Sequence, residues 1–296
     1  VSIGADVDAS KETPNFFAPW HRRLFVGRRG LVASTFSSLL VLAAIALLLF
    51  ASPGGATFRH VFFDGHNLWR AWVGDPSQGI DALRDGMVTN IWMFLVSEVL
   101  VLFFGLAIAS CRISQSPVLF PFRVLATTYT DIMRGVPLIL TMLIVGFGLP
   151  ELELPVISSQ SAAVYGVVAL TLCYSAYVAE VIRAGIYSVP NGQRLAARSL
   201  GLTQASTMRR VILPQAIRNV IPPLLNDFIS LQKDTAIVSV LGAIEVVRSA
   251  EIYSAATFNE SGLTLAAVFF IVLTIPMTRF TDRLMSKDRA KRLAHE

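Results

Sequence analysis

The chain has 296 residues, of which 54% are hydrophobic and 15% charged. Soluble domains carry roughly one quarter charged residues, so this composition excludes the ordinary soluble class and points to a polytopic membrane protein. The net charge is +5, and its distribution along the chain reports membrane topology without calling for nucleic acid.

Residues 1–29 form a basic tail with Lys11, Arg22, Arg23, Arg28 and Arg29. Residues 30–51 follow as a first transmembrane helix, in which Ser34–Ala51 carries no charge. A hydrocarbon core needs about 20 apolar residues to be crossed. The apolar run starts late, behind a polar tail, and has no obvious small-x-small cleavage signal before the next charge, so a cleaved signal peptide is not expected. Residues 52–86 read as an external loop. Further spans are expected at Val88–Ser110, Gly135–Leu149 (its helix starting near Leu125), Leu154–Ala179, Ile217–Val240 and Gly262–Thr278. These runs are continuously apolar and do not alternate on a period of two, which disfavours a barrel and predicts an all-α bundle of six helices.

Lysine and arginine gather in alternate segments, as the positive-inside bias requires. Inner segments hold Arg112, Arg123 and Arg134, then Arg183 through Arg218, then Arg279, Arg283, Lys287, Arg289, Lys291 and Arg292. Outer segments hold Arg59, Arg70, Arg84 and Arg248, outnumbered by acids that include Asp64, Asp75, Glu151, Glu153 and Glu251. Both termini, the tail 284–296 included, are therefore expected in the cytoplasm.

Cys111 and Cys173 fall on different spans without a CxxC pattern or histidines at ligand spacing, so neither a disulfide nor a metal site is expected. His21, His60, His66 and His295 lie in tails or loops, and no catalytic residue is assigned. GxxxxGK[ST] does not occur, so the chain has no phosphate loop of its own and any ATP-driven work must come from a partner.

Between two spans lies the polar loop Asn191–Pro214, NGQRLAARSLGLTQASTMRRVILP. It reads as a small-residue helix, a glycine break and a second helix ended by proline. It has Arg194, Arg198, Arg209 and Arg210 and no acid, so it belongs on the cytoplasmic side. Nearby, Tyr174, Tyr177, Glu180 and Arg183 recur every three residues and drift slowly round one helical face. Glu180 with Arg183 reads either as an ion pair at the membrane boundary or as a gating or coupling element. Asn226, Asp227, Lys233 and Asp234 interrupt a segment otherwise apolar enough to span. Burying these charges is costly without partners, so they are expected to face the bundle interior or a pathway; a structural salt bridge is the other reading. Pro222 and Pro223 leave backbone carbonyls free in the same span, and Pro137 follows Arg134 and Gly135.

Three strings carry a family resemblance: Arg134-Gly135-Val136-Pro137-Leu138, Tyr177-Val178-Ala179-Glu180-Val181-Ile182-Arg183-Ala184-Gly185-Ile186, and Val189-Pro190-Asn191-Gly192-Gln193. They are followed by Leu200-Gly201-Leu202, Leu213-Pro214-Gln215-Ala216-Ile217-Arg218, Pro222-Pro223-Leu224, Asn226 and Lys233-Asp234-Thr235. Together, over roughly Met87–Arg283, these resemble the permease subunits of polar amino-acid ABC importers. The resemblance implies a five-helix permease core over residues 87–283 plus one extra N-terminal helix, in a bacterial inner membrane.

In that family the loop is the EAA loop, here Leu195-Ala196-Ala197, Gly201, Val211 and Leu213-Pro214. The resemblance implies that it docks as a helix in a groove of an ATPase subunit. Coupling then falls to Arg194, Leu195, Ala196, Ala197, Arg198, Gly201, Leu213 and Pro214. Leu195 stands where the family has glutamate, so contact rests on shape and on Arg194 or Arg198, or the chain is the weaker half of a heterodimer. Glu98 also departs from a helix usually uncharged at its middle; it balances a cation or makes a subunit-specific ion pair.

The implied complex contains two permease subunits, identical or sister, two ATPases holding ATP and Mg, and an external substrate-binding protein, all embedded in lipid. This chain itself binds no cofactor. Tyr177, Glu180, Asn226, Lys233, Asp234 and Thr235 are the candidate pathway residues, matching the ammonium, carboxylate and side chain of an amino-acid solute. An ion-gradient-driven secondary transporter is the alternative, although the first half has no counterpart of the Lys233-Asp234-Thr235 segment. A membrane enzyme would need clustered histidines or a nucleophile with a base, and neither occurs.

Overall fold

The computed structural model of the protein describes residues 28–76, 79–114 and 116–293. Lys11, Arg22, Arg23, His21 and His295, named above, lie outside these residues. Among the described residues every regular element is helical, apart from one antiparallel bridge between Asp75 and Ile80. The chain divides into two units, Val1–His60 and Val61–Glu296. In the first, α1 (Arg28–Phe50) covers the expected first span. Its apolar side chains, among them Phe36, Leu40, Leu47 and Leu48, are exposed on the chain itself. A helix apolar all round is suited to hydrocarbon.

The stretch expected as an external loop is largely helical. After α2 (Gly55–Phe62), Asp64 caps α3 (Gly65–Val73) by accepting from the Asn67 N–H at 2.9 Å. Gly74, at φ +83°, ends α3 where a side chain would strike the backbone of Ile80 and Ala82. Arg70 pairs with Asp75 across this turn. Ala71, Ile80, Leu83 and Met87 then pack with Val246, Ala250, Tyr253 and Ala266. The Tyr253 hydroxyl donates to Asn67 Oδ1 at 2.7 Å. Local polarity and turn residues hid this second, smaller core from a hydropathy reading.

The main core is built round α7 (Ala162–Tyr187), which packs against α4 (Leu83–Ile113), α5 (Phe120–Gly135), α6 (Leu138–Gly148) and α10 (Leu213–Asp234). Met93, Val101, Met142, Leu170, Cys173 and Leu231 are its buried contributors. Gly185 lets α7 and α10 meet closely, because a Cβ there would collide with Val220. α7 starts and ends eight residues later than the apolar run Leu154–Ala179 predicts. Ser161 caps it by accepting from the Val164 N–H at 3.4 Å, while Leu154 and Val156 remain exposed.

The expected helix through Leu125–Leu149 is broken: the helices on either side of Val136-Pro137 are bent by 109°. Proline pushes the preceding residue out of the helical region, and Val136 is extended at φ −94°, ψ 130°. α10 runs unbroken through Pro222 and Pro223. It instead gives way at Thr235 to a 3-10 segment ending at Leu241 before Gly242, φ +81°. Two short connections later come α11 (Val246–Thr257) and α12 (Ser261–Leu293).

Among the described residues three helices, Leu83–Ile113, Ala162–Tyr187 and Ser261–Ser286, are long and apolar enough to cross a membrane, or up to five spans if each of two bent pairs counts as one. Six were predicted. Ile217–Val240 is absent from these because α10 carries Arg218, Asp227, Lys233 and Asp234.

Candidate functional site: a surface loop and a polar seam

The loop after α7 folds as α8 (Asn191–Ser199), a turn, α9 (Gln204–Thr207) and a π-turn at Met208–Ile212. Gly201 adopts φ +83°. Its N–H donates to the Arg198 carbonyl at 3.0 Å, and the Leu202 N–H donates to that of Ala197 at 3.2 Å. Such a left-handed residue closes a helix C-terminus at little cost only when it is glycine. Thr203 caps α9 by accepting from the Ser206 N–H at 3.2 Å. Ile212, with Ile186, Val189 and Ala216, anchors the loop to the ends of α7 and α10.

Two details differ from the sequence reading. Pro214 does not end the second helix; it sits in the first turn of α10, where its missing N–H would lack a partner in any case. Ala197 is buried in the chain's own packing, whereas Ala196 is exposed. Leu195 and Leu200 stand out at 60% and 84% exposure. Arg194, Leu195 and Arg198 border a cavity of 180 Å³ that reaches Thr207 and Ile212. The loop thus presents apolar side chains beside arginines that have no ion pair among the described residues.

A polar seam runs through the bundle between α4, α7 and α10. Lys233, Asp234 and Thr235 are consecutive, and steps of about 100° send them to three different places. Lys233 is exposed and has no ion pair among the described residues. Asp234 accepts a hydrogen bond at 2.6 Å from the Tyr174 hydroxyl. The structural salt bridge, the other reading of these charges, is not present among the described residues; Asp234 instead makes a tyrosine–aspartate contact between helices. Asn226 is also exposed and lies seven residues, two turns, from Lys233, so both share a face of α10.

Thr235 is fully buried, unlike the exposed Lys233. Its hydroxyl donates to the Gln232 carbonyl at 2.8 Å and accepts from Asn90 Nδ2 at 3.0 Å. Asn90 also donates to Glu245 Oε2 at 3.1 Å and accepts from the Val246 N–H at 2.9 Å. Glu245 caps α11 through the Arg248 and Val247 N–H groups at 2.7 and 3.0 Å. Burial pushes its carboxyl above the ordinary range, against the downward pull of those N–H groups and of Asn90. Asn90 and Glu245 went unnoticed in the sequence because one looks like an isolated amide in an apolar run and the other like a loop acid.

Near one end of α7, Glu180 gathers three arginines. Arg112 of α4 donates to it at 2.7 Å, Arg183 contacts it at 2.5 and 3.1 Å, and Arg134 of α5 lies at 3.6 Å. The expected pair with Arg183 is present but forms only part of a hub joining three helices. Tyr177 is 41% exposed, its ring 6.2 Å from that of Tyr174. Glu98 has no ion pair among the described residues; it lies one turn beyond Phe94, whose ring meets Phe228 edge-on at 4.8 Å. Asp227, the neighbour of Phe228, has a buried oxygen without a hydrogen-bond partner among the described residues.

The chain is similar to known permease proteins and to solved transporter structures. The arginine transport system permease protein ArtQ of Bacillus subtilis is 38% identical over 200 residues, 67% of this chain and 89% of its own. The probable glutamine ABC transporter permease protein GlnM of Bacillus subtilis is 41% identical over 175 residues, 59% of this chain and 78% of its own. Among solved structures, an amino acid ABC transporter with histidines superposes with a TM-score of 0.63 at 36% identity, covering 69% of this chain and 93% of that one. The inward-facing MetNI methionine ABC transporter gives 0.58 at 19% identity over 72% and 98%, a likeness of fold alone. Residues 102–287 match the family described as binding-protein-dependent transport system inner membrane component, and the chain belongs to that family.

Proposed function

We propose that the chain is the membrane permease subunit of an ATP-driven, binding-protein-dependent amino-acid importer. It forms half of the translocation pathway and is driven through the loop 191–214. Likeness to permeases named for arginine and glutamine supports amino acids as the solute class. The observation that carries the coupling assignment is the loop itself, anchored through Ile212 while Leu195 and Leu200 stand exposed beside Arg194 and Arg198. A separate ATPase subunit, holding ATP and Mg, seats this surface in a groove. Leu195 supplies shape where the family uses a carboxylate, and the flanking arginines supply charge. Closure of two ATPases draws two such loops together and rocks the spans outward. Solute delivered by an external binding protein then meets the exposed Asn226–Lys233 face of α10 and Tyr177, with Asp234 held behind them by Tyr174. Both termini lie on the loop's side, the cytoplasm. Nothing in the relatives or the fold supports the ion-gradient alternative.

The test is co-purification of the tagged chain in mild detergent with its neighbours, with and without Gly201→Asp. Recovery of an ATPase subunit with the native chain and its loss from a still monodisperse mutant is the expected result. A native chain that carries no ATPase yet moves amino acids in liposomes under an ion gradient overturns the reading.

A further inference from the structure

The cavity of 180 Å³ in the loop 191–214 combines two cations with a stranded donor. Arg194 and Arg198 lie one turn apart on α8, and both line it together with Gln204 and Thr207 of α9. Like charges at this spacing repel and weaken a helix. Neither guanidinium has an ion pair among the described residues, and the loop itself contains no acid. Arg198 is steadied by the Leu202 carbonyl, to which it donates at 3.2 Å.

Thr207 is a second, independent sign. It is 2% exposed and lines the same cavity, and its hydroxyl has no hydrogen-bond partner among the described residues. A buried hydroxyl left unpaired is costly, and so are two guanidiniums facing one space without a counter-charge. A carboxylate, with two oxygens and several lone pairs, meets all three groups at once. The cavity is smaller than the roughly 300–1,000 Å³ of small-molecule pockets, which suits one side chain. Leu195 stands 60% exposed at its rim. A free ion would leave that leucine in water, whereas a protein surface carrying an acid covers it and fills the cavity together.

Resting on the coupling role proposed for this loop, we infer that one aspartate or glutamate of the ATPase subunit enters the cavity. It pairs with Arg194 and Arg198 and accepts from the Thr207 hydroxyl. The mutual repulsion of the two arginines then becomes a shared attraction, so α8 is firmer in the complex than alone.

The test uses the full chain carrying Arg194→Lys, purified in mild detergent with its co-purifying ATPase. The complex is treated with a carbodiimide, which joins an amine to a touching carboxylate as an amide. Mass spectrometry is expected to find residue 194 linked to one aspartate or glutamate of the ATPase, and Arg248→Lys to give no such link. Arg194→Glu is expected to lower retention of the ATPase roughly thirtyfold, the smaller end for one broken member of a buried interfacial charge pair. Thr207→Val supplies a readout that a structural threonine would not. Retention falls roughly tenfold, while the melting midpoint of the chain stripped of its partner stays level or rises, because an unpaired buried hydroxyl has been removed. A fall in both overturns the assignment of Thr207. A recovered ATPase whose carboxylates never link to residue 194 overturns the proposal and leaves the coupling reading intact. So does inorganic phosphate that shields residue 194 from acylation with the ATPase still bound, which makes a free anion the occupant. Recovery of no ATPase at all overturns both.

Discussion

Lys233, Asp234 and Thr235 stand in three different surroundings, so the pathway role proposed for Lys233 can be tested apart from the buried network of Thr235. Lys233 is exposed and unpaired by any acid among the described residues, so Lys233→Met removes a charge without orphaning a buried group. Its melting midpoint is expected to match the native protein, since such changes cost within about 0.5 kcal/mol, while amino-acid uptake into proteoliposomes falls. Unchanged uptake would take Lys233 out of the pathway. Asn90→Ala is expected to do the reverse. It strips a donor from Thr235 and another from Glu245 and leaves the Val246 N–H unpaired. Each orphaned buried group costs about 1–3 kcal/mol, so thermal stability in detergent should drop clearly; an unchanged midpoint would deny the network its structural role. The sequence exposed the charged pair but not this division. Helical steps of about 100° are known in advance, but which step meets Tyr174 and which meets Asn90 depends on helices distant in the chain.

At the level of elements, apolar runs located most helices, and polar punctuation decided their ends. Pro137 broke one expected helix, Ser161 delayed the start of α7, and Asp64 and Gly74 made a helix inside a supposed loop. Such capping is readable in hindsight because it obeys local rules. The Glu180 hub is not local, for Arg112 is 68 residues away and on another helix. Glu180→Gln leaves Arg112, Arg134 and Arg183 together without a counter-charge. Losing one partner of a buried ion pair costs about 3–5 kcal/mol. Arg134 and Arg183 are 40% and 36% exposed and solvent screens them, so about 1–3 kcal/mol is expected here. The lowered midpoint should partly recover with added salt, since mobile anions screen the remaining arginines. A salt-independent loss would mean that packing, and not the charge cluster, holds these helix ends.

For the whole molecule, the division at His60 has a consequence for assembly. The three hydrophobic clusters and the family match at 102–287 all lie in the second unit. The second unit also holds the polar seam and the loop 191–214. Removing residues 1–54 deletes α1 and keeps α2, whose Val61 carbonyl accepts from the Glu260 N–H at 2.9 Å. One span fewer leaves the new N-terminus outside, while the arginines of the remaining inner segments still fix the orientation of α4, α7 and α12. The shortened chain is expected to insert, to retain the ATPase partner, and to label from outside through a cysteine placed at its start, whereas a cysteine at Leu200 stays protected until the membrane is opened. Loss of insertion would make the first helix part of the topogenic signal. Retained insertion with loss of the partner would instead make it part of the assembly surface.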